Sequence, residues 1–189
     1  NAGHKVELFD TTYYNNIEGD ISDSDGSKSE RLMARPYEMP SIVKMTEKNT
    51  NVFQDFRKYV DDYSPDLIAL SCTEDMWHVG HKLLQVVDDF DILTIVGGVF
   101  PTFGPELVLS YPEVDILCKG EGEEAMVELC SKIESGQSYD HINNLWVKKK
   151  NGAIVKNPTR MVDMDKNPLI DMSLFEEARF YRPMGGQVY

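Results

Sequence analysis

Three short segments hold the residues best placed to do chemistry. Ser71 and Thr73 bring two hydroxyls in "SCTEDMW". Gly97 and Gly98 open "GGVFPT", with Val99, Phe100, Pro101 and Thr102 behind them. Gly120, Glu121 and Gly122 lie in "KGEGEEA". Hydroxyls, small residues and glycine peptide groups bind a ligand; they do not make a nucleophile and its base. Glu121, Glu123 and Glu124 at a helix start complement the helix dipole, so acid–base catalysis is not needed to explain them. The same charges disfavour a phosphate at that helix end. Each segment also has a plain structural use. Gly97-Gly98 can form a tight turn, and Ser71 and Thr73 can cap a helix.

Other chemistries find less support. The three cysteines, Cys72, Cys118 and Cys130, form no C-x-x-C, which speaks for reduced, packed thiols rather than a disulfide frame or zinc site. No C-x-x-x-C-x-x-C is present for an iron–sulfur cluster. His78 and His81 are three apart on an expected helix but lack a third ligand, so they read as solvent-facing side chains and no metal residues are assigned. Neither G-x-G-x-x-G nor G-x-x-x-x-G-K-[ST] occurs. The formal net charge of −13 opposes a nucleic-acid partner. No stretch has the roughly 20 apolar residues of a membrane span, and no signal peptide is visible. The expected location is the cytoplasm.

The elements that must position these segments follow from periodicity. Leu67–Ser71, Ile92–Val96 and Asp115–Cys118 are apolar runs of strand length. Helical spacing marks Val52 to Tyr63, Asp75–Asp89 and Glu123–Ser135, with Pro105 opening a short helix. Apolar strands alternating with amphipathic helices specify a parallel sheet covered on both faces, and ligands then bind beyond the strands' carboxyl ends. All three candidate segments sit at such ends. Lys5–Phe9 reads as a further strand, and Ile42–Lys48 carries a weak helical pattern. Leu145–Lys150 and Ala153–Lys156 flank Asn151-Gly152, a hairpin signature. Residues 13–51 contain "EGDISDSDGSKSE" and are expected to be the least ordered.

In order and spacing, "GHKVELFDTTYY", "IVGGVFPTFGPE" and "VDILCKGEGEEAMVELC" resemble the cobalamin-binding domain of B12-dependent radical SAM proteins. The anaerobic magnesium-protoporphyrin monomethyl ester cyclases belong to that class. "NNLWVKKKNGAIVKNP", "NPLIDMSLFE" and "RPMGGQVY" resemble the connector into the radical SAM barrel. The resemblance covers most of the chain except about 15–51. It implies a flavodoxin-like (Rossmann-like) α/β fold in three layers, with residues 1–139 as the cobalamin-binding part and 140–189 as hairpin and connector. Gly97 and Gly98 match the place where the corrin's nucleotide tail passes the backbone. Ser71 and Thr73 match the strand end that contacts the dimethylbenzimidazole. Val99, Phe100, Pro101 and Thr102 continue the wall, and Gly120, Glu121 and Gly122 match the next loop. On this reading Gly98→Val blocks binding and leaves the fold intact.

The resemblance has gaps. The cluster motif that cleaves S-adenosylmethionine is absent, so the 4Fe-4S cluster and S-adenosylmethionine belong to a barrel beyond this segment, and the chain alone is expected to be inactive. The D-x-H-x-x-G cobalt-ligand motif is also absent, so no histidine ligand is expected. Family members have one more strand before Lys5–Phe9. Without it, direct pairing of Lys5–Phe9 with Leu67–Ser71 is expected, with a homodimer through a sheet edge as the alternative and weak cobalamin binding as the result. A different class of function stays open: a flavodoxin-like module that binds no cofactor and serves in docking. A receiver domain is disfavoured, because neither Ser71 nor Val96 ends its strand with the phospho-acceptor Asp.

Overall fold

The computed structural model describes residues 2–12, 14, 48–181, 183, 184, 187 and 188. The expected disorder of 13–51 and the helical pattern at Ile42–Lys48 fall almost wholly outside these residues. The chain divides into two compact units. One is Asn1–His4 with Val60–Pro168, and the other is Lys5–Tyr59 with Leu169–Tyr189.

The first unit is built on a five-stranded sheet in the order β1 (Leu67–Ser71), β2 (Leu93–Gly97), β3 (Ile116–Cys118), β4 (Leu145–Lys148), β5 (Ile154–Lys156). β1, β2 and β3 are parallel, with Ser71 level with Gly97. β3–β4 and β4–β5 are antiparallel. The sheet is therefore mixed, and the hairpin is not merely self-paired; it extends the sheet at β3. Between the strands lie α2 (Trp77–Gln85), α3 (Val99–Phe103), α4 (Pro105–Leu109) and α5 (Glu123–Glu134). Strands alternate with helices as the sequence pattern implied, and the α/β fold is the flavodoxin-like one that the resemblance implied.

Side-chain alternation along the strands sorts residues onto the two faces. Ile95, Ile116, Cys118, Leu145 and Val147 join Ala125 and Leu129 of α5 and Ile142 in one buried cluster. Val96 and Leu117 point the other way and are fully buried. On that side α2 lies against β1, where Gly80 meets the Leu70 side chain. The expected helix Asp75–Asp89 is shorter. A 3₁₀ turn at Glu74–Met76 precedes it, and Asp88–Phe90 forms another, closed by Asp91 at φ 53°. Between β2 and β3, Thr94 locks the register: its N–H donates to Asp115 Oδ2, its hydroxyl donates to Glu113 O, and Asp115 N–H donates back to its Oγ1.

Helix α1 (Val52–Tyr63) runs through both units. Asn51 caps it, its Oδ1 accepting from Phe53 and Gln54 N–H groups. Ser64, at φ 50°, ends it ahead of Pro65. In the second unit Phe9 packs its ring against Tyr14, Phe56 and Tyr59. Lys5–Phe9 is not a strand, which corrects the expectation, and it does not pair with Leu67–Ser71; β1 pairs with β2. Alternation gave the segment a strand-like pattern, but Phe9 is anchored by aromatic packing instead of a ladder, while Val6 and Leu8 stay exposed.

Candidate functional site

The carboxyl ends of β1, β2 and β3 bring the three candidate segments to one edge of the first unit. Their tethers are local. Cys72 N–H donates to Gly97 O at 3.2 Å, which carries the β1–β2 ladder one residue past Ser71. Thr102 in α3 reaches both neighbouring loops: its hydroxyl donates to Gly98 O at 2.8 Å and accepts from Gly120 N–H at 3.1 Å. Thr102→Val keeps the shape and removes both bonds, leaving the Gly120 N–H without its acceptor. It is expected to cost about 1–2 kcal/mol, read from the midpoint of urea unfolding; an unchanged midpoint would show that this tether carries no load.

The two adjacent glycines do different things. Gly98 has φ 106°, and a Cβ there would lie 2.8 Å from Cys72 O and 3.2 Å from Cys72 N. Its close neighbour is therefore the chain itself. Gly97 is different: a Cβ would meet only Cys118 Cβ, at 3.6 Å. A Cβ on Gly122 would lie 3.3 Å from Cys118 Sγ, a tight contact. Gly97 and Gly122 thus both lie against the buried Cys118, with room for a methyl at Gly97 and little at Gly122.

Around these glycines the groups differ in kind. Ser71 and Thr73 are exposed, and Thr73 makes no side-chain capping bond although it begins the 3₁₀ turn. Val99 is 62% exposed and Phe103, one turn on, 85%. Phe100 and Pro101 turn inward; Phe100 packs near Trp77, 5.6 Å between ring centroids, and Pro101 is buried. Glu121 is exposed at the tip of the third loop. Hydroxyls and peptide groups beside open apolar side chains suit a large ligand with an apolar body and a polar rim.

The titratable groups nearby are not poised for catalysis. Burial pushes the Cys72 thiol up to about 11. Burial, followed by the charges of Glu123 and Glu121, pushes Cys118 to about 11. Neither is a ready thiolate near neutral pH. His78 is exposed as expected, but His81 is not simply solvent-facing. It stacks on Trp77, 8° between planes, and meets Glu113 at 3.0 Å. Burial raises the Glu113 pKa, but its backbone bond and bonds to His81 and Gln85 outweigh that, and the net shift is downward. Among the described residues no group of three or more His, Cys, Asp or Glu side chains could hold a metal ion.

One residue at this edge was missed. Asn144, just before β4, is 4% exposed at φ 69°. Its amide donates to Glu121 O at 2.8 Å, under the tip of the third loop. In sequence, Asn143-Asn144 before an apolar run reads as an ordinary turn.

Comparison with known proteins finds a family match for the span that contains these segments. The family model described as the B12 binding domain matches residues 41–130, a span that includes every candidate residue from Ser71 to Gly122. Residues 41–130 are thus similar to that domain. The anaerobic magnesium-protoporphyrin IX monomethyl ester cyclase of Rubrivivax gelatinosus is 25% identical over 142 residues, covering 70% of this chain and 25% of that protein. The 4'-phospho-dehydrooxetanocin synthase of Priestia megaterium is 22% identical over 167 residues, covering 84% of this chain and 22% of that protein. The chain thus spans about a quarter of the length of these relatives. Among solved structures, the cobalamin-dependent S-adenosylmethionine radical enzyme OxsB, with aqua-cobalamin and S-adenosylmethionine bound, superposes at a TM-score of 0.53 with 23% identity, covering 60% of this chain and 16% of that one. The likeness to OxsB shows the shared fold. Among the described residues no helix is long and apolar enough to cross a membrane. The candidate residues from Ser71 to Gly122 lie within the matched span, at the ends of β1 and β2 and in the loops after β1, β2 and β3.

Proposed function

We propose that this chain holds cobalamin at the strand ends, as the cobalamin-binding part of a radical SAM enzyme of the methyltransferase or oxidative cyclase class. The observation that carries the reading is the coincidence of the family match with the edge where Ser71 and Thr73 are exposed and a Cβ on Gly97 would meet nothing closer than 3.6 Å. Gly97 and Gly122 would border a cradle for the nucleotide tail. Ser71 and Thr73 offer hydroxyls to its polar groups, and Val99 and Phe103 offer apolar contact to the corrin. Gly98, Phe100, Pro101 and Thr102 shape the wall from behind, and Gly120 and Glu121 close the third side. Bound cobalamin would supply the cobalt-centred alkyl or electron transfer, while the chain's own residues bind and orient it. Cys72 and Cys118, held as thiols by burial, are not cobalt ligands in this reading. Residues 140–189 lead toward a barrel that supplies the 4Fe-4S cluster and S-adenosylmethionine.

Titration of the purified chain with hydroxocobalamin tests the reading. Saturable one-to-one binding, with a change in the visible spectrum of the corrin, is the expected result. No binding at concentrations well above those used for such domains would leave the docking function as the better account.

A further inference from the structure

We propose that Asn144 is a positioning residue that holds the Lys119–Gly122 loop in its ligand-ready form and so sets the affinity for the nucleotide tail of cobalamin; this rests on the cobalamin reading above. Asn144 is buried and left-handed, φ 69°. If only the backbone turn mattered, glycine would adopt it without a side chain to bury. A buried amide is costly unless its polar atoms are bonded, and here all of them are. The two Nδ2 hydrogens go to Glu121 O at 2.8 Å and Arg160 O at 3.1 Å. Oδ1 accepts from Arg160 N–H at 2.7 Å. The backbone N–H donates to Pro158 O at 3.0 Å, and the backbone carbonyl accepts from Lys119 N–H at 2.7 Å.

These bonds join two separate stretches. Lys119 and Glu121 flank Gly120 in the third strand-end loop, and Pro158–Arg160 follow β5. The Arg160 guanidinium also pairs with Glu124, in the first turn of α5. Gly120 lies between the clamps: its N–H goes to Thr102, and a Cβ on it would sit 3.3 Å from Thr159 Cγ2 and 3.7 Å from Asn144 Nδ2. The loop's inner side is thus fixed by Asn144, while Glu121 on its outer side stays exposed. The arrangement is a rigid backing for a loop whose free face looks outward.

Asn144→Gly keeps the left-handed turn and deletes the amide. Asn144→Asp keeps the acceptor for Arg160 but sets a carboxylate against two carbonyl oxygens. Both variants and the parent chain are titrated with hydroxocobalamin and with dicyanocobinamide, which has the corrin but no nucleotide tail. Amide exchange of 119–122 is followed alongside. The expected result is hydroxocobalamin binding about tenfold weaker in both variants, with cobinamide binding unchanged and faster exchange at 119–122. Equal hydroxocobalamin affinity in all three proteins, or equal weakening toward both ligands, would overturn the proposal. So would an Asn144→Gly chain that circular dichroism shows to be unfolded, since the role would then be structural. A parent chain that binds no hydroxocobalamin would instead overturn the cobalamin reading, and the tail-affinity proposal with it; unchanged exchange in Asn144→Gly would remove the clamp as well.

Discussion

Gly98→Val is expected to destabilise the chain by roughly 3–5 kcal/mol, enough to leave much of it unfolded. Two costs add. A β-branched residue at φ 106° is in a backbone region that L side chains rarely adopt. Its Cβ would also press into the Cys72 carbonyl at 2.8 Å, and that carbonyl belongs to the chain leaving β1 and cannot swing away like a flexible side-chain end. Relief would mean separating the β1 and β2 ends, where Cys72 N–H bonds to Gly97 O. The measurement is the urea midpoint, with circular dichroism at zero denaturant. A variant as stable as the parent that has merely lost cobalamin would show that the close approach at Gly98 is made by ligand after all, as the sequence reading held.

One residue earlier, the expected result is reversed. Gly97→Ala should leave stability within about 0.5 kcal/mol, or raise it slightly through lower unfolded-chain entropy, yet weaken hydroxocobalamin binding about tenfold or more, some 1.4 kcal/mol. The chain itself has room for the methyl, whose nearest neighbour is Cys118 Cβ at an ordinary 3.6 Å. If the nucleotide tail lies in the cradle, the methyl occupies its path. Calorimetric titration paired with thermal unfolding separates the two effects. Unaltered affinity would take the tail out of this cradle; a large fall in stability would mean that the turn, not a ligand, demands this glycine too.

The sheet was largely legible because its signals are local. The runs at Leu67–Ser71, Ile92–Val96 and Asp115–Cys118 are apolar on both faces, as strands covered by helices must be. Asn151-Gly152 marked its hairpin, though the strands stop at Lys148 and resume at Ile154 and only Gly152, at φ 82°, is left-handed. What escaped depends on partners distant in sequence. Lys5–Phe9 has the same alternation whether or not a strand lies beside it, and here Phe9 finds rings on α1 and Tyr14. Whether His81 faces water turns on Glu113, 32 residues on. The glycine pair announced a close approach but not what approaches. Asn144 was invisible because its worth comes from Glu121 and Arg160, 23 and 16 residues away.

The hairpin also settles a question of direction. β4 runs against β3, and β5 runs against β4, so two reversals cancel and β5 points the same way as β1, β2 and β3. Had one strand been added instead of two, the chain would have left the sheet at the amino ends, far from the candidate loops. With two, parity returns it to the carboxyl-end rim, where Pro158–Arg160 meet Asn144. The hairpin is thus a turnaround: a pair of short strands whose even count delivers the polypeptide after β5 back to the rim that carries the candidate loops.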